Sequence, residues 1–112
     1  MSSQPHPDLA AVPLTTVLSA LSNPVRLGIV RLLADDAERQ WGELDAPVAP
    51  STLSRHLQVL RSAGVTRTRE EGTRCYVRLR REDLETRFPG LLDSVLAADA
   101  SGASEVGVKA VR

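Results

Sequence analysis

Apolar residues recur at helical spacing along the first two thirds of the chain. One such pattern covers residues 14–21. A second, from 24 to about 34, follows Asn23 and begins with Pro24, two residues that favour the start of a helix. A third, from 50 to about 63, stops at Gly64, a typical helix terminator. These spacings predict three helices.

The pattern changes after Gly64. Residues 65–69 and 74–79 are strand-like, the second run alternates Cys75, Val77 and Leu79 with Arg74, Tyr76 and Arg78, and residues 70–73 suit the turn between the two strands. A last helix is predicted near Pro89, with an apolar stripe of Phe88, Leu91, Leu92, Val95 and Leu96. The proline-flanked stretch Trp41–Leu44 leaves room for one short element, which we interpret as a short helix.

The predicted order is helix, helix, short helix, helix, hairpin, helix. This order is typical of a winged helix-turn-helix, a mainly α (α+β) fold with about five helices and a two-stranded β-hairpin wing. We expect the domain to cover residues 13–98. The polar ends, residues 1–12 and 99–112, are expected to be flexible tails.

Basic residues are concentrated in one stretch of the chain, although its formal net charge is zero. Residues 51–81 contain eight arginines and only two acidic residues. Clustered basic charge on a helix and a hairpin favours a nucleic-acid partner, which we expect to be double-stranded DNA. No apolar run reaches the roughly 20 residues of a membrane span, so no membrane partner is predicted. The single cysteine, Cys75, suits a reducing environment, and we expect a cytoplasmic protein.

The helix predicted over residues 50–63 has two contrasting faces. Leu53, Leu57 and Leu60 share the side that should face the core. The opposite side is polar: Ser51, Ser54, Arg55, Gln58 and Ser62. Short hydroxyls allow close approach to phosphates, while arginine and glutamine can pair with guanine and adenine. The alternative is an ordinary serine-rich solvent face.

The hairpin adds basic residues to this interface, with Arg69, Thr73 and Arg74 flanking its tip. His56 lies beside the leucine face, so it is either a packing residue or a phosphate contact. The hairpin arginines could alternatively be general strand-surface residues. The full predicted DNA-binding set is Ser51, Thr52, Ser54, Arg55, His56, Gln58, Arg67, Arg69, Thr73 and Arg74.

Three segments, residues 20–33, 51–64 and 69–76, resemble the ArsR/SmtB family of bacterial winged-helix repressors. The resemblance implies a homodimer that joins its first and last helices, binds an imperfect palindrome and blocks transcription until an effector releases it. The terminal helices also carry large apolar stripes, which favour pairing across a two-fold axis. The predicted dimer residues are Leu14, Val17, Leu18, Leu91, Leu92, Val95 and Leu96.

Many metal-sensing relatives carry a Cys-x-Cys motif before the reading helix, which this chain lacks. Its last helix offers carboxylates but no histidine, so we predict no metal and no cofactor. No nucleophile–base pair or phosphate-binding loop is present, and an enzyme is not expected. Two alternatives stay open: a metal- or redox-responsive regulator, the latter using Cys75, and a winged-helix module that binds protein instead of DNA.

Overall fold

In the described part of the chain, five α-helices and two small antiparallel sheets form the domain. The computed structural model describes residues 6–102 and 107–110. The helices are α1 (Leu14–Leu21), α2 (Pro24–Leu32), α3 (Pro50–Ser62), α4 (Arg81–Arg87) and α5 (Leu91–Ser101). The strands are β1 (Arg39–Gln40), β2 (Leu44–Asp45), β3 (Thr66–Glu71), β4 (Arg74–Leu79) and β5 (Lys109–Ala110). The winged helix-turn-helix architecture is confirmed.

The predicted boundaries of α2 and α3 have clear local causes. The Asn23 side chain accepts hydrogen bonds from the backbone N–H groups of Val25 and Arg26, at 2.8 and 3.1 Å, and so caps α2. At the end of α3, Gly64 has a φ of +81°. The backbone N–H of Val65 donates to the Leu60 carbonyl at 3.0 Å, which is one of the two bonds of a Schellman motif.

The segment before α3 contains the predicted short helical turn and, on either side of it, a short strand that was not predicted. It consists of β1, a 3-10 turn over Trp41–Glu43, and β2. Arg39 and Gln40 pair with Val77 and Tyr76 of β4, so the wing sheet has three strands in the order β1-β4-β3. Backbone pairing across the sheet, which no local pattern reveals, supplies the hydrogen bonds of β1.

The C-terminal helix is divided in two. Phe88 has extended backbone angles, φ −132° and ψ 75°, because the following proline disfavours the helical region. Gly90 then adopts a φ of +79° before α5 begins. Both helices contribute to the core, α4 through Leu84 and α5 through Leu92.

Both chain ends contact the rest of the domain where the structure describes them. Leu9 and Val12 are buried, the backbone carbonyl of Pro7 accepts a hydrogen bond from Arg80 at 2.8 Å, and His6 accepts one from the Thr68 N–H. At the other end, β5 pairs with β2. Burial of apolar side chains offsets the entropy of ordering these segments. The remaining tail residues, 1–5, 103–106 and 111–112, lie outside the described residues.

The core lies between the helices and the inner face of the sheet. Its most deeply buried side chains come from α1, α2, α3, the strands and residues directly next to them: Val17, Ile29, Val30, Leu33, Leu57, Leu60, Val65, Val77 and Thr66. Among the described helices, none is by itself long and apolar enough to cross a membrane, and only the pair α1 and residues 24–35, bent by 93°, passes that test of length and composition.

Candidate nucleic-acid interface

Helix α3 presents a polar face to solvent. Leu57 and Leu60 are buried at 1% and 0% exposure, and Leu53 is half-buried, so the leucine face packs inward as predicted. The exposed residues on the other side are Ser51, Thr52, Arg55, Gln58 and Ser62. Ser54 is half-buried at the edge of this face. The structure therefore brings together most of the residues that the sequence assigned to DNA reading.

The N-terminal turn of α3 is suited to a negatively charged ligand. It contains no acidic residue, and no side chain of the described residues caps it. The uncapped N–H groups and the helix dipole give this end partial positive charge. Small side chains at Ser51 and Thr52 leave these N–H groups accessible.

His56 is half-buried, on the side of α3 that faces α2. Its Nδ1 lies 3.0 Å from Nη1 of Arg26. Burial lowers the pKa of His56, and the charges of Arg26 and Arg55 lower it further. The imidazole is therefore neutral at neutral pH. Arg26, which follows Asn23-Pro24-Val25 in the first turn of α2, is not among the site residues predicted from the sequence.

The wing hairpin has a tight turn with Gly72 and Thr73 at its centre. Glu71 pairs with Arg74, and Gly72 has a φ of +62°, as a type II′ turn requires of its first central residue. Thr73 and Arg74 are exposed at the tip. Arg74 makes no ion pair with any residue in the described ranges, so its guanidinium is available to a phosphate.

One face of the hairpin carries most of its arginines. Strand register places Arg67 opposite Arg78, and both are exposed. Like charges directly opposite each other are destabilising, which an anionic partner would relieve. Arg67 also lies 3.5 Å from Asp83, an exposed pair that contributes little.

Arg69 is engaged within the protein. It forms two hydrogen bonds with Glu38, at 3.0 and 2.8 Å, and one with Glu71, at 2.6 Å. Its guanidinium also stacks 4.5 Å from the centre of the Tyr76 ring. Two carboxylates around one guanidinium give this cluster negative net charge and raise the pKa of Arg69. A DNA contact by Arg69, which stays a prediction, would require these bonds to open.

Two further arginines of the basic stretch have structural roles. Arg80 is buried and donates to Asp83 and to the Pro7 carbonyl. Arg81 donates to Asp36, Asp93 and the Ala34 carbonyl, which ties α4 to the end of α2 and to α5. A count of charged residues along the chain could not separate these arginines from exposed ones, because Pro7, Ala34 and Asp36 are distant from them in the chain.

The predicted dimer residues fall into two groups. Leu14 and Leu18 are the large apolar side chains that stand exposed in the described part of the chain, at 44% and 41%. Val17 and Leu92 are buried within the protomer, at 1% and 5%, so its own core already uses them. The half-buried remainder lies on α5: Leu91, Val95 and Leu96.

Comparison with known proteins identifies the family. A family model described as a helix-turn-helix domain matches residues 21–69. An uncharacterised helix-turn-helix transcriptional regulator of Bacillus subtilis, YceK, is 35% identical over 82 residues, which cover 70% of this chain and 82% of the relative. The biofilm growth-associated repressor of Agrobacterium fabrum is 34% identical over 96 residues, covering 84% of this chain and 80% of that protein.

A solved structure agrees. The homodimeric winged helix-turn-helix DNA-binding domain of Mb0332 from Mycobacterium bovis, a possible ArsR-family regulator, superimposes with a TM-score of 0.57 at 35% identity, covering 79% of this chain and 81% of that one. The chain belongs to the ArsR family of winged helix-turn-helix transcriptional regulators. The family resemblance drawn from the sequence is confirmed.

This ArsR-family regulator is thus a transcriptional regulator with a DNA-binding domain and is not an enzyme. Within the described residues, no group of three or more His, Cys, Asp or Glu side chains could hold a metal ion. Cys75 is half-buried on β4, opposite Glu70 and on the same strand face as Val77 and Leu79. A redox role for this thiol stays a hypothesis.

Proposed function

We propose that this regulator is a homodimeric, cytoplasmic repressor that binds a palindromic operator, with α3 in the major groove and the β3–β4 hairpin as the wing. The observation that carries the proposal is the exposed polar face of α3, where Arg55 and Gln58 stand beside the hydroxyls of Ser51 and Thr52. Side chains of these types read base edges and phosphates in the major groove.

The alternative, a winged-helix module that binds protein, is less well supported. A protein interface is enriched in exposed aromatic residues and methionine, which the face of α3 does not contain. The exposed leucines lie on α1 instead. The metal-responsive alternative has no observation in its favour, and an effector remains an expectation from the family resemblance.

Repression and dimerisation are supported by the relatives and by one surface. The Agrobacterium relative is named a repressor, and the Mycobacterium domain is described as homodimeric. Leu14 and Leu18, one turn apart on α1, form an exposed apolar ridge that a second copy would bury. In such a dimer, the two reading helices would contact half-sites about one helical turn, roughly 10 base pairs, apart or a multiple of it.

Specific DNA binding is tested with the full-length protein and two duplexes, the region upstream of its own gene and a scrambled duplex of equal composition. Fluorescence anisotropy at about 50 and 200 mM salt separates general attraction from specific recognition. We expect the upstream duplex to bind at least about 1,000-fold more tightly at the higher salt. Equal affinity for both duplexes at both salt concentrations would contradict the proposal.

The dimer is tested with Leu18→Glu. Charge placed on the exposed ridge should prevent burial of that surface, so sedimentation at micromolar protein should show a monomer. Operator affinity should fall by about 100-fold, because the two half-sites are then bound independently. Ala37→Glu is the matched control, since it adds the same charge on an exposed loop. A dimeric Leu18→Glu protein with normal operator affinity would count against this interface.

A further inference from the structure

Arg26 connects three helices through its guanidinium. From the first turn of α2, its Nε donates to the Ala20 carbonyl at 2.7 Å and its Nη2 donates to the Ser19 carbonyl at 3.3 Å, both near the end of α1. Its remaining nitrogen, Nη1, lies 3.0 Å from Nδ1 of His56 on α3. Two bonds to α1 therefore hold the guanidinium in place while the third reaches the reading helix.

This contact determines which nitrogen of His56 carries the proton. A guanidinium has only donors, and it stays protonated at neutral pH even though burial lowers the pKa of Arg26. Nδ1 of His56 must therefore accept, so the imidazole is neutral and its proton is on Nε2. The charged groups acting on His56 are Arg26 from α2 and Arg55 from α3, both cationic, and α1 contains no ionisable residue. Each of them opposes protonation.

The other ring nitrogen of His56, Nε2, has no hydrogen-bond partner among the described residues. It is also not one of the described side-chain nitrogen and oxygen atoms that are both buried and without a hydrogen-bond partner. This N–H is therefore accessible from solvent. The residue that precedes His56 in α3, Arg55, is exposed on the reading face.

We propose that Arg26 is a positioning residue that fixes His56 as a neutral donor, whose Nε2–H bonds to an acceptor on the operator. The acceptor is a phosphate oxygen or a purine N7 or O6 atom, which all accept a hydrogen bond. The inference rests on the proposed DNA-binding function. It assigns Arg26 a role through His56 and no DNA contact of its own.

The first test uses the free protein and does not depend on DNA. NMR correlations between ring nitrogens and ring protons report the tautomer of each histidine, and the chain has only two. His6 is an internal reference, because its Nε2 accepts from the Thr68 N–H at 2.9 Å and its proton must be on Nδ1. We expect opposite tautomers, and we expect the pKa of His56 to lie below that of a free imidazole because of burial and the charges of Arg26 and Arg55. A His56 proton on Nδ1, or ordinary titration near pH 6.5, would overturn the proposal.

The second test measures operator affinity of Arg26→Met between pH 8 and pH 6. Without the guanidinium, neutral His56 divides between two tautomers and its ring is no longer held in one orientation, so affinity at pH 8 should fall by about two- to fivefold, between dilution of the competent tautomer and loss of one hydrogen bond. As the pH falls, His56 can protonate and regain a donor at Nε2 with added positive charge. The deficit relative to the natural protein should therefore shrink or reverse at pH 6. Arg26→Lys, which keeps a donor, should restore part of the affinity at pH 8.

Controls separate positioning from folding. Arg31→Met alters the same helix, where the partner is Asp99, and should show no such pH dependence. Glutamine at position 56 has a terminal amide donor that cannot titrate. In a His56→Gln background, Arg26→Met should therefore have the same effect at both pH values.

If Arg26→Met lowers operator affinity by the same factor at pH 6 and pH 8 in the protein that keeps His56, the proposal is overturned. If Arg26→Met fails to fold, the tautomer measurement still decides it, and absence of operator binding by the natural protein would refute only the proposed function.

Discussion

Gly64→Ala is expected to lower the free energy of unfolding by about 3 kcal/mol, measured by urea denaturation at fixed protein concentration. Two costs combine at this position. The φ of +81° is unfavourable for a residue with a side chain, by roughly 1–2 kcal/mol. A Cβ here would also stand only 2.5 Å from Cδ2 of the buried Leu9, which is overpacking. Because Gly64 ends α3, the substitution should also disturb the position of the reading helix.

Gly72→Ala is the matched control for this prediction. Gly72 has a similar φ of +62°, but an added Cβ would have no heavy atom within 4 Å. It should therefore incur only the backbone cost, about 1 kcal/mol. In a Leu9→Ala background, the additional loss from Gly64→Ala should decrease, since the clash is removed. Equal destabilisation by Gly64→Ala and Gly72→Ala would show that Leu9 does not restrict this site.

Arg55→Ala is expected to weaken operator binding by about 10- to 100-fold and to relax the sequence preference at one position of each half-site. Arg55 is exposed on the reading face and forms no ion pair among the described residues, so its five donors are available for a base edge. Arg55→Lys should recover little, because an ammonium cannot form the bidentate contact to guanine. Anisotropy with the operator and with single-base variants measures both effects.

Arg74→Ala provides the contrast. Its exposed position at the wing tip suits a phosphate contact, so its loss should weaken all duplexes similarly and reduce the slope of log affinity against log salt by about 1. Arg55→Ala should instead reduce the difference between operator and scrambled DNA. If both variants weakened the two duplexes to the same extent, the assignment of Arg55 to base reading would be wrong.

Local features were predictable because their causes are local. Asn23 caps α2 and Gly64 ends α3 through hydrogen bonds between residues that are close in the chain. The spacing of the leucines in α3 is enough to predict which side of the helix is buried. The polar residues of the reading face could be predicted for the same reason, because their spacing places them on one side of α3. The short helical element was predicted at Trp41–Leu44, where the structure has a 3-10 helix, but strand β1 just before it was not predicted, because its hydrogen bonds come from β4 more than thirty residues later.

Residue types and their spacing by themselves determined the helices, the hairpin, the polar reading face and the likeness to winged-helix regulators. Only the tertiary structure decided which arginines are available. It placed Arg80 and Arg81 in structural hydrogen bonds, surrounded Arg69 with Glu38 and Glu71, left Arg55 and Arg74 exposed, and joined Arg26 to His56. The physical reason is that residue type alone gives the sign of each charge. The partners of that charge and its removal from water depend on which residues folding brings beside it.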